Sequence, residues 1–444
     1  VLGTATFFAV LLFVLHLSLA FVFIGLLAAC VLSAIVMRPL WGFYALVATF
    51  SAEHLLGLSD VLTTTKLLGA LVVLGWALDA AIRRRYRVPR ARILLGAPVL
   101  LGSAIVSMVA VENVISGAEK LATIVQLNLL VLVAATLLQS IRDVRRLAWV
   151  LLLSTALSAV LGLTMFAAGR QENLEGLATN RNAIGMFLAM CIPMIVFFYS
   201  RVGMIGKAAL VALAGMFFVC EALSYSREGF IFLVVAVVLS FLLGARGQRL
   251  KIGVLMLGLG IPIAVSLPSQ FWQRVSTIEP AIEAGSETVG LRYQLWDVAL
   301  RMIRTHPILG VGPGNYYAHF MRYGGVLGMR RVPLACHNAY LGVTAELGLV
   351  GGSLFVAICL TALVTYAHAG YLASRRGDKE VTDLAICFGI STLVFILAGL
   401  VGNMEFMKYF WLLIALSAVL NHLAKAAPLP ETAPAVESAR RSDP

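Results

Sequence analysis

The chain has 444 residues, of which 60% are apolar and only 13% charged, with a formal net charge of +12. A soluble domain carries about 25% charged residues, and no soluble fold hides this much apolar surface, so lipid is the solvent for most of the chain. The positive balance reads first as cytoplasmic Lys and Arg that fix orientation in a membrane, and no nucleic-acid partner is expected.

A span takes roughly 20 apolar residues. In chain order, apolar runs predict spans near 40–57, 64–82, 92–110, 119–138, 147–168, 183–199, 208–225, 229–244, 252–267, 340–370, 383–401 and 406–423. The almost wholly apolar first 36 residues add a hairpin of two short spans or one long tilted helix, for a total of 12 to 14. Residues 1–267 thus form the first part of a bundle, 268–339 a long loop, 340–423 the last three spans, and 424–444 a polar tail with the composition of disorder. The basic stretches at 83–92, 142–146, 201–207, 245–251 and 374–379 all fall on one side, which the positive-inside rule makes cytoplasmic. The opposite side then carries short loops at 58–63, 111–118, 226–228 and 402–405, a medium loop at 169–182 and the long loop.

Cys30, Cys191, Cys220, Cys336, Cys359 and Cys387 show no metal-ligand spacing, and five lie in apolar runs. They read as packing residues, and neither disulfide nor metal is inferred.

The long outer loop holds Arg274, Arg292, Arg301, Arg304, Arg322, Arg330 and Arg331 but no lysine, against Glu279, Glu283, Glu287 and Asp297. Its positive charge runs against the topological bias. The planar guanidinium fork binds phosphate bidentately; the competing reading is a set of surface or headgroup-binding arginines. Within the loop, residues 286–305 predict an amphipathic helix capped by Ser286 and stopped by Pro307, with Leu291, Leu295, Val298 and Met302 on one face and Arg292, Trp296, Ala299 and Ile303 on another. Gly310, Gly312 and Gly314 follow in HPILGVGPGNYY at 306–317. Such a loop offers backbone N–H groups to a phosphate, a weak signal without the Lys-Ser/Thr of a nucleotide loop, and ATP is not the expected substrate.

His337 and Asn338 lie at the predicted start of the helix that becomes the span from Tyr340. The helix dipole there favours anions and a neutral imidazole, which can accept a proton from an attacking hydroxyl. A structural role is the alternative, and His306 and His319 compete for the same chemistry. Asn180, Arg181 and Asn182 stand at the mouth of another span. Arg227, in the turn SYSREG at 224–229, stands at the membrane edge, where a charge is a functional-site hypothesis. The competing reading pairs it with Glu228 or Glu221. Glu346 is a further carboxylate within a span. Arg181, Arg227, Arg292 and His337 come from four outward-facing segments. Brought together, they suit a diphosphate on an isoprenoid tail, a donor that carries its own leaving group where ATP is absent.

At these residues the chain resembles the O-antigen ligase/polymerase superfamily of bacterial envelope glycosyltransferases. The pattern comprises Ser226-Arg227, Arg292, the HPxxGVGxGNY segment from His306 to Tyr316, and the HNxYL…ExG segment from His337 to Gly348. The resemblance implies an all-α, GT-C-like polytopic fold with one long periplasmic helical loop. It also implies an inner-membrane ligase that moves O-antigen glycan from undecaprenyl diphosphate to a sugar hydroxyl of lipid A–core at the periplasmic face, with inversion and without metal or cofactor. By the same resemblance, His337 is the general base or acceptor orienter, Arg227 and Arg292 neutralise the diphosphate, and Asn315, Asn338 and Tyr340 shape the site; Arg181 joins them by loop position. A polymerase using the same donor with a lipid-linked acceptor is the nearest alternative. A lipid-linked glycan transporter is a second, disfavoured because the polar residues collect at one face rather than at the midplane.

Overall fold

The computed structural model describes residues 33–52, 63–83, 86–171, 173–178, 180–244, 253, 287–324 and 334–426. The expected span at 252–267 apart from residue 253, the cap Ser286, residues Arg274, Glu279, Glu283, Arg330 and Arg331, the apolar start to residue 32, Cys30 and the tail from 427 lie outside the described residues. The described residues are helical, without a β-strand, and belong to two compact units that divide between Arg87 and Val88.

In the first unit, α1 (Pro39–Ala48) runs into a 3-10 turn at Thr49–Ala52 and packs against α2 (Thr64–Arg83). Gly42 allows that contact, since a Cβ there would lie 3.2 Å from Val72 Cγ2.

The second unit begins with α3 (Gly96–Ser107), set between 3-10 turns at Arg92–Leu95 and Met108–Ala110. Then come α4 (Val114–Leu137), α5 (Ile141–Ala167), α6 (Arg181–Tyr199), α7 (Met204–Ser224) and α8 (Arg227–Leu243). The long loop contributes α9 (Glu287–Thr305) and α10 (Tyr316–Gly324), and the chain closes with α11 (Ala339–Arg375), α12 (Lys379–Ala398) and α13 (Lys408–Ala426). Among the described residues, nine helices are long and apolar enough to cross a membrane. The protein is a multi-pass, all-α membrane protein.

Helix starts differ from the apolar runs where polar residues begin the first turn. The run near 147 opens instead at Ile141, because Ser140 and Asp143 form a reciprocal capping box. The run near 119 opens at Val114, where the Asn113 side chain accepts the Ser116 N–H at 3.1 Å. Helix α6, apolar on every side, is enclosed by α5, α7, α8 and α12. Leu360 and Val364 on α11 are 58% and 66% exposed, as lipid-facing side chains are.

Bonds between loops fall into two groups. At the basic end, Arg145 pairs with Glu380 at 2.9 Å and Arg376 donates to the Ala424 carbonyl at 3.0 Å. At the opposite end, Arg322 pairs with Glu112 at 3.0 Å and the Ala339 N–H donates to the Gly399 carbonyl at 2.8 Å.

Candidate active site

The long loop is anchored before it can place any chemistry. Leu295, Val298, Ala299 and Met302 of α9 are buried with Val311, Tyr316, Phe320, Cys336 and Ala345. Leu295, Val298 and Met302 belong to the face expected of the amphipathic pattern, whereas Ala299, with Trp296 and Ile303 packed against the cluster, was expected on the other; the Leu291 side chain lies outside the described residues. Each large apolar side chain buried there contributes roughly 1.5–3 kcal/mol.

The glycine segment does something other than cradle a phosphate. Helix α11 is broken at Gly348, which takes φ 69° and ψ −176°. A break frees carbonyls and an N–H that a helix would otherwise satisfy. The Val311 and Gly312 N–H groups donate to the Ala345 and Glu346 carbonyls, both at 2.9 Å, and the Leu349 N–H donates to the Pro307 carbonyl at 2.8 Å. Residues 307–312 therefore act as a strap that replaces the missing helical bonds. These N–H groups are engaged by protein and do not form a phosphate cradle. Gly310 must be glycine for this approach, since a Cβ would stand 2.5 Å from the Ala345 carbonyl oxygen. Asn315 fixes the far end of the strap: its side chain accepts the Asn113 N–H at 2.7 Å and donates to the Asn113 carbonyl at 3.2 Å.

Two helix starts are fastened side by side. The Asn180 side chain accepts the N–H groups of Asn182 and Ala183, each at 3.0 Å, which sets Arg181 in the first turn of α6. Ser226 caps α8 by accepting the Gly229 N–H at 3.0 Å, which sets Arg227 and Glu228 in its first turn. The Ser226 hydroxyl donates to Asn182 Oδ1 at 2.8 Å and joins the two caps. Tyr225, in the left-handed region at φ 52°, makes the tight turn between α7 and α8. Arginines at helix N-termini oppose the helix dipoles, so this corner concentrates positive potential from both sources.

Arg292, on α9, pairs with Glu228. His337 is half-buried and feels both groups. Burial lowers its basicity most, the Arg292 charge lowers it further, and the Glu228 carboxylate opposes them; the net direction is down. Its imidazole is therefore neutral near pH 7. His337 also takes φ 51°, a conformation unusual for a non-glycine residue. Its neighbours impose that conformation: Asn338 caps α11 by accepting the Leu341 N–H at 3.0 Å and donates to the Leu400 carbonyl at 3.1 Å, while Cys336 is buried. Such strain costs of order 1–3 kcal/mol and gathers at functional positions. Burial pushes the Cys336 thiol up to about 12, so it is no nucleophile at neutral pH.

The four segments expected to converge are thus linked: Asn182 bonds Ser226, Glu228 pairs with Arg292, and Arg292 and Glu228 act on His337. Arg227 itself does not take Glu228, which is held by Arg292. Nor does Arg227 take Glu221, a fully buried carboxyl wedged against Gly185 and Gly229 with Oε2 unpaired. Tyr340 donates its hydroxyl to the Ile396 carbonyl at 2.7 Å, and so, like Asn338 and Asn315, binds backbone within the protein. The competing histidines are latched. Both ring nitrogens of His319 have partners, Asn315 O and Glu112 Oε1, each at 3.1 Å, and His306 Nδ1 lies 3.0 Å from Thr305 Oγ1. Among the described residues nothing hydrogen-bonds the His337 ring.

Sequence reading missed the part of Glu228 and a second polar group at the same end. There Lys120 lies 3.9 Å from the Phe406 ring centroid, and burial pushes the Glu405 carboxyl up to about 7. A carboxylate in the short loop 402–405 was the available signal.

Fold and cluster together define a multi-pass membrane protein with a cationic, histidine-bearing corner at the end opposite its basic loops. Residues 208–356, about a third of the chain, match the family model described as O-antigen ligase, and over this segment the chain is similar to that family. The match runs from α7 through the Ser226-Arg227 turn, Arg292 and His337 to beyond the Gly348 break. The similarity supports activity of the ligase or polymerase type, that of a membrane glycosyltransferase. No curated protein matches the chain.

Proposed function

We propose that the protein is an O-antigen ligase of the bacterial inner membrane, acting at the periplasmic face on an undecaprenyl-diphosphate-linked O-antigen donor and a lipid A–core acceptor. Arg227 and Arg292, with Arg181 beside them, receive the diphosphate. The isoprenoid tail lies in membrane lipid. His337 takes the proton from the acceptor hydroxyl as its oxygen attacks the anomeric carbon from the face opposite the diphosphate. The bond from that carbon to the diphosphate oxygen breaks, its electron pair leaves on the diphosphate, and the configuration inverts. Positive charge placed where negative charge grows stabilises the transition state more than the ground state. The scheme uses no metal or cofactor.

The observation that carries this reading is the placement of His337, strained at φ 51° and without a ring hydrogen bond among the described residues, within electrostatic reach of Arg292. Its test is glycan transfer by purified protein supplied with lipid-linked donor and lipid A–core. His337→Ala is expected to lower turnover by about 10²–10⁴-fold, and Arg292→Lys by about tenfold or more, since an ammonium does not reproduce the guanidinium fork. Near-wild-type turnover in His337→Ala would remove the base. Transfer only to a second lipid-linked glycan, and none to lipid A–core, would replace the ligase with a polymerase.

A further inference from the structure

In the described structure, the group gripping the Arg292 guanidinium is a carboxylate, that of Glu228. Carboxylate and phosphate present similar paired oxygens to a guanidinium fork. The two side chains are only 24% and 16% exposed, so the pair is largely out of water, where an unpaired charge is costly. An arginine intended for diphosphate must be neutralised by something while the donor is away. Glu228 is well placed to do this. It stands in the first turn of α8, beside Arg227, with Ser226 and Asn182 fixing the start of its helix.

Displacement has a second consequence. A diphosphate brings more negative charge than one carboxylate and takes over Arg292. Glu228 is then released at the start of α8, still within electrostatic reach of His337. The charged groups that act on His337 are Arg292 from α9 and Glu228 from α8. With Arg292 occupied by diphosphate, the freed carboxylate is left to balance the imidazolium that forms when His337 takes the acceptor proton.

We propose that Glu228 is a positioning residue that occupies the Arg292 fork in the empty site and, once displaced by the donor's diphosphate, becomes the counter-charge of His337. This rests on the donor-binding role proposed above for Arg292. It couples donor arrival to activation of the base, and disfavours proton abstraction in a site without donor.

The test uses the full chain in lipid nanodiscs with undecaprenyl diphosphate, which carries no sugar, as the binding probe. Glu228→Gln removes the competitor and the counter-charge together. It is expected to bind undecaprenyl diphosphate about tenfold more tightly while kcat falls about tenfold or more. A mere structural ion pair gives a different pattern, weaker binding and lower kcat together, with a lowered melting temperature; that result overturns the proposal. So does unchanged kcat. Glu228→Asp, which keeps the charge on a shorter arm, is expected to recover most of the turnover lost in Glu228→Gln, and failure to do so in a folded protein also counts against it. If wild-type protein does not bind undecaprenyl diphosphate, the donor reading falls and this proposal with it. If wild-type protein binds and Glu228→Gln binds no better, only Glu228 loses its role.

Discussion

His337 is the residue whose environment most directly sets a measurable property. Burial and the Arg292 charge hold its basicity below the ordinary histidine value, against the pull of Glu228. The free-base form therefore persists to lower pH than it does for a histidine titrating near 6.5. Catalysis needs that neutral form, so kcat/KM is expected to stay level as pH falls through about 6.5 and to drop only at more acidic values. A pH–rate profile of kcat/KM reports the free enzyme and checks this; an acid limb above about 6.5 would show a different group or environment. The same residue shows what sequence discloses at this scale. The sequence reading reached a neutral imidazole from the helix dipole, whereas the lowering comes from burial and Arg292, which only the fold supplies. The unusual φ of His337 was invisible, because it is imposed by Ala339 bonding to Gly399 and Asn338 to Leu400, partners far along the chain. The Arg292–Glu228 pair was equally hidden: Glu228 sits beside Arg227 in the sequence, and only the docking of α9 hands it to Arg292.

At the scale of elements, the helices were legible and the strap was not. Long apolar runs locate spans because lipid forces every backbone group to be satisfied within the segment. The break in α11 violates that rule locally, and its remedy comes from a distant segment. HPILGVGPGN reads as a glycine loop able to offer its N–H groups to a phosphate, yet its backbone completes the bonding of α11 around Gly348. Gly348→Ala is expected to damage this junction. The new Cβ would overlap the Ile308 carbonyl, and the residue would be held at φ 69°. Asn315→Ala removes both side-chain bonds to Asn113 and leaves the Asn113 N–H without that partner. Losses of about 1–3 kcal/mol are expected for each substitution, read as a lowered thermal midpoint in detergent. Stability equal to wild type in both variants would show that residues 307–315 are not a structural strap. Because α9 and His337 flank this strap through the buried Tyr316 and Cys336, a loosened strap is also expected to lower transfer.

For the whole molecule, the decisive arrangement is which end carries what. Basic loops meet through Arg145–Glu380 and Arg376–Ala424, whereas Glu112, Arg322, Asn315, His337 and Gly399 belong to loops joined at the other end. The positive-inside rule assigns the first end to the cytoplasm; the net positive long loop is then an exception to the charge bias, as the proposed role in binding a diphosphate would require. Thiol labelling separates these assignments. The five described cysteines are buried and free, so in a Cys30→Ser background they give little reaction with a membrane-impermeant reagent. A cysteine at exposed Arg304 on α9 is expected to be labelled in spheroplasts. One at exposed Ser374, near the end of α11, is expected to react only after the membrane is opened. The two positions test one mechanical requirement: the arginines and His337 must face the compartment where a diphosphate-activated glycan is the available donor. Labelling of Ser374→Cys from outside, with Arg304→Cys protected, would put the candidate site in the cytosol, and the transfer reaction proposed here could not occur at it.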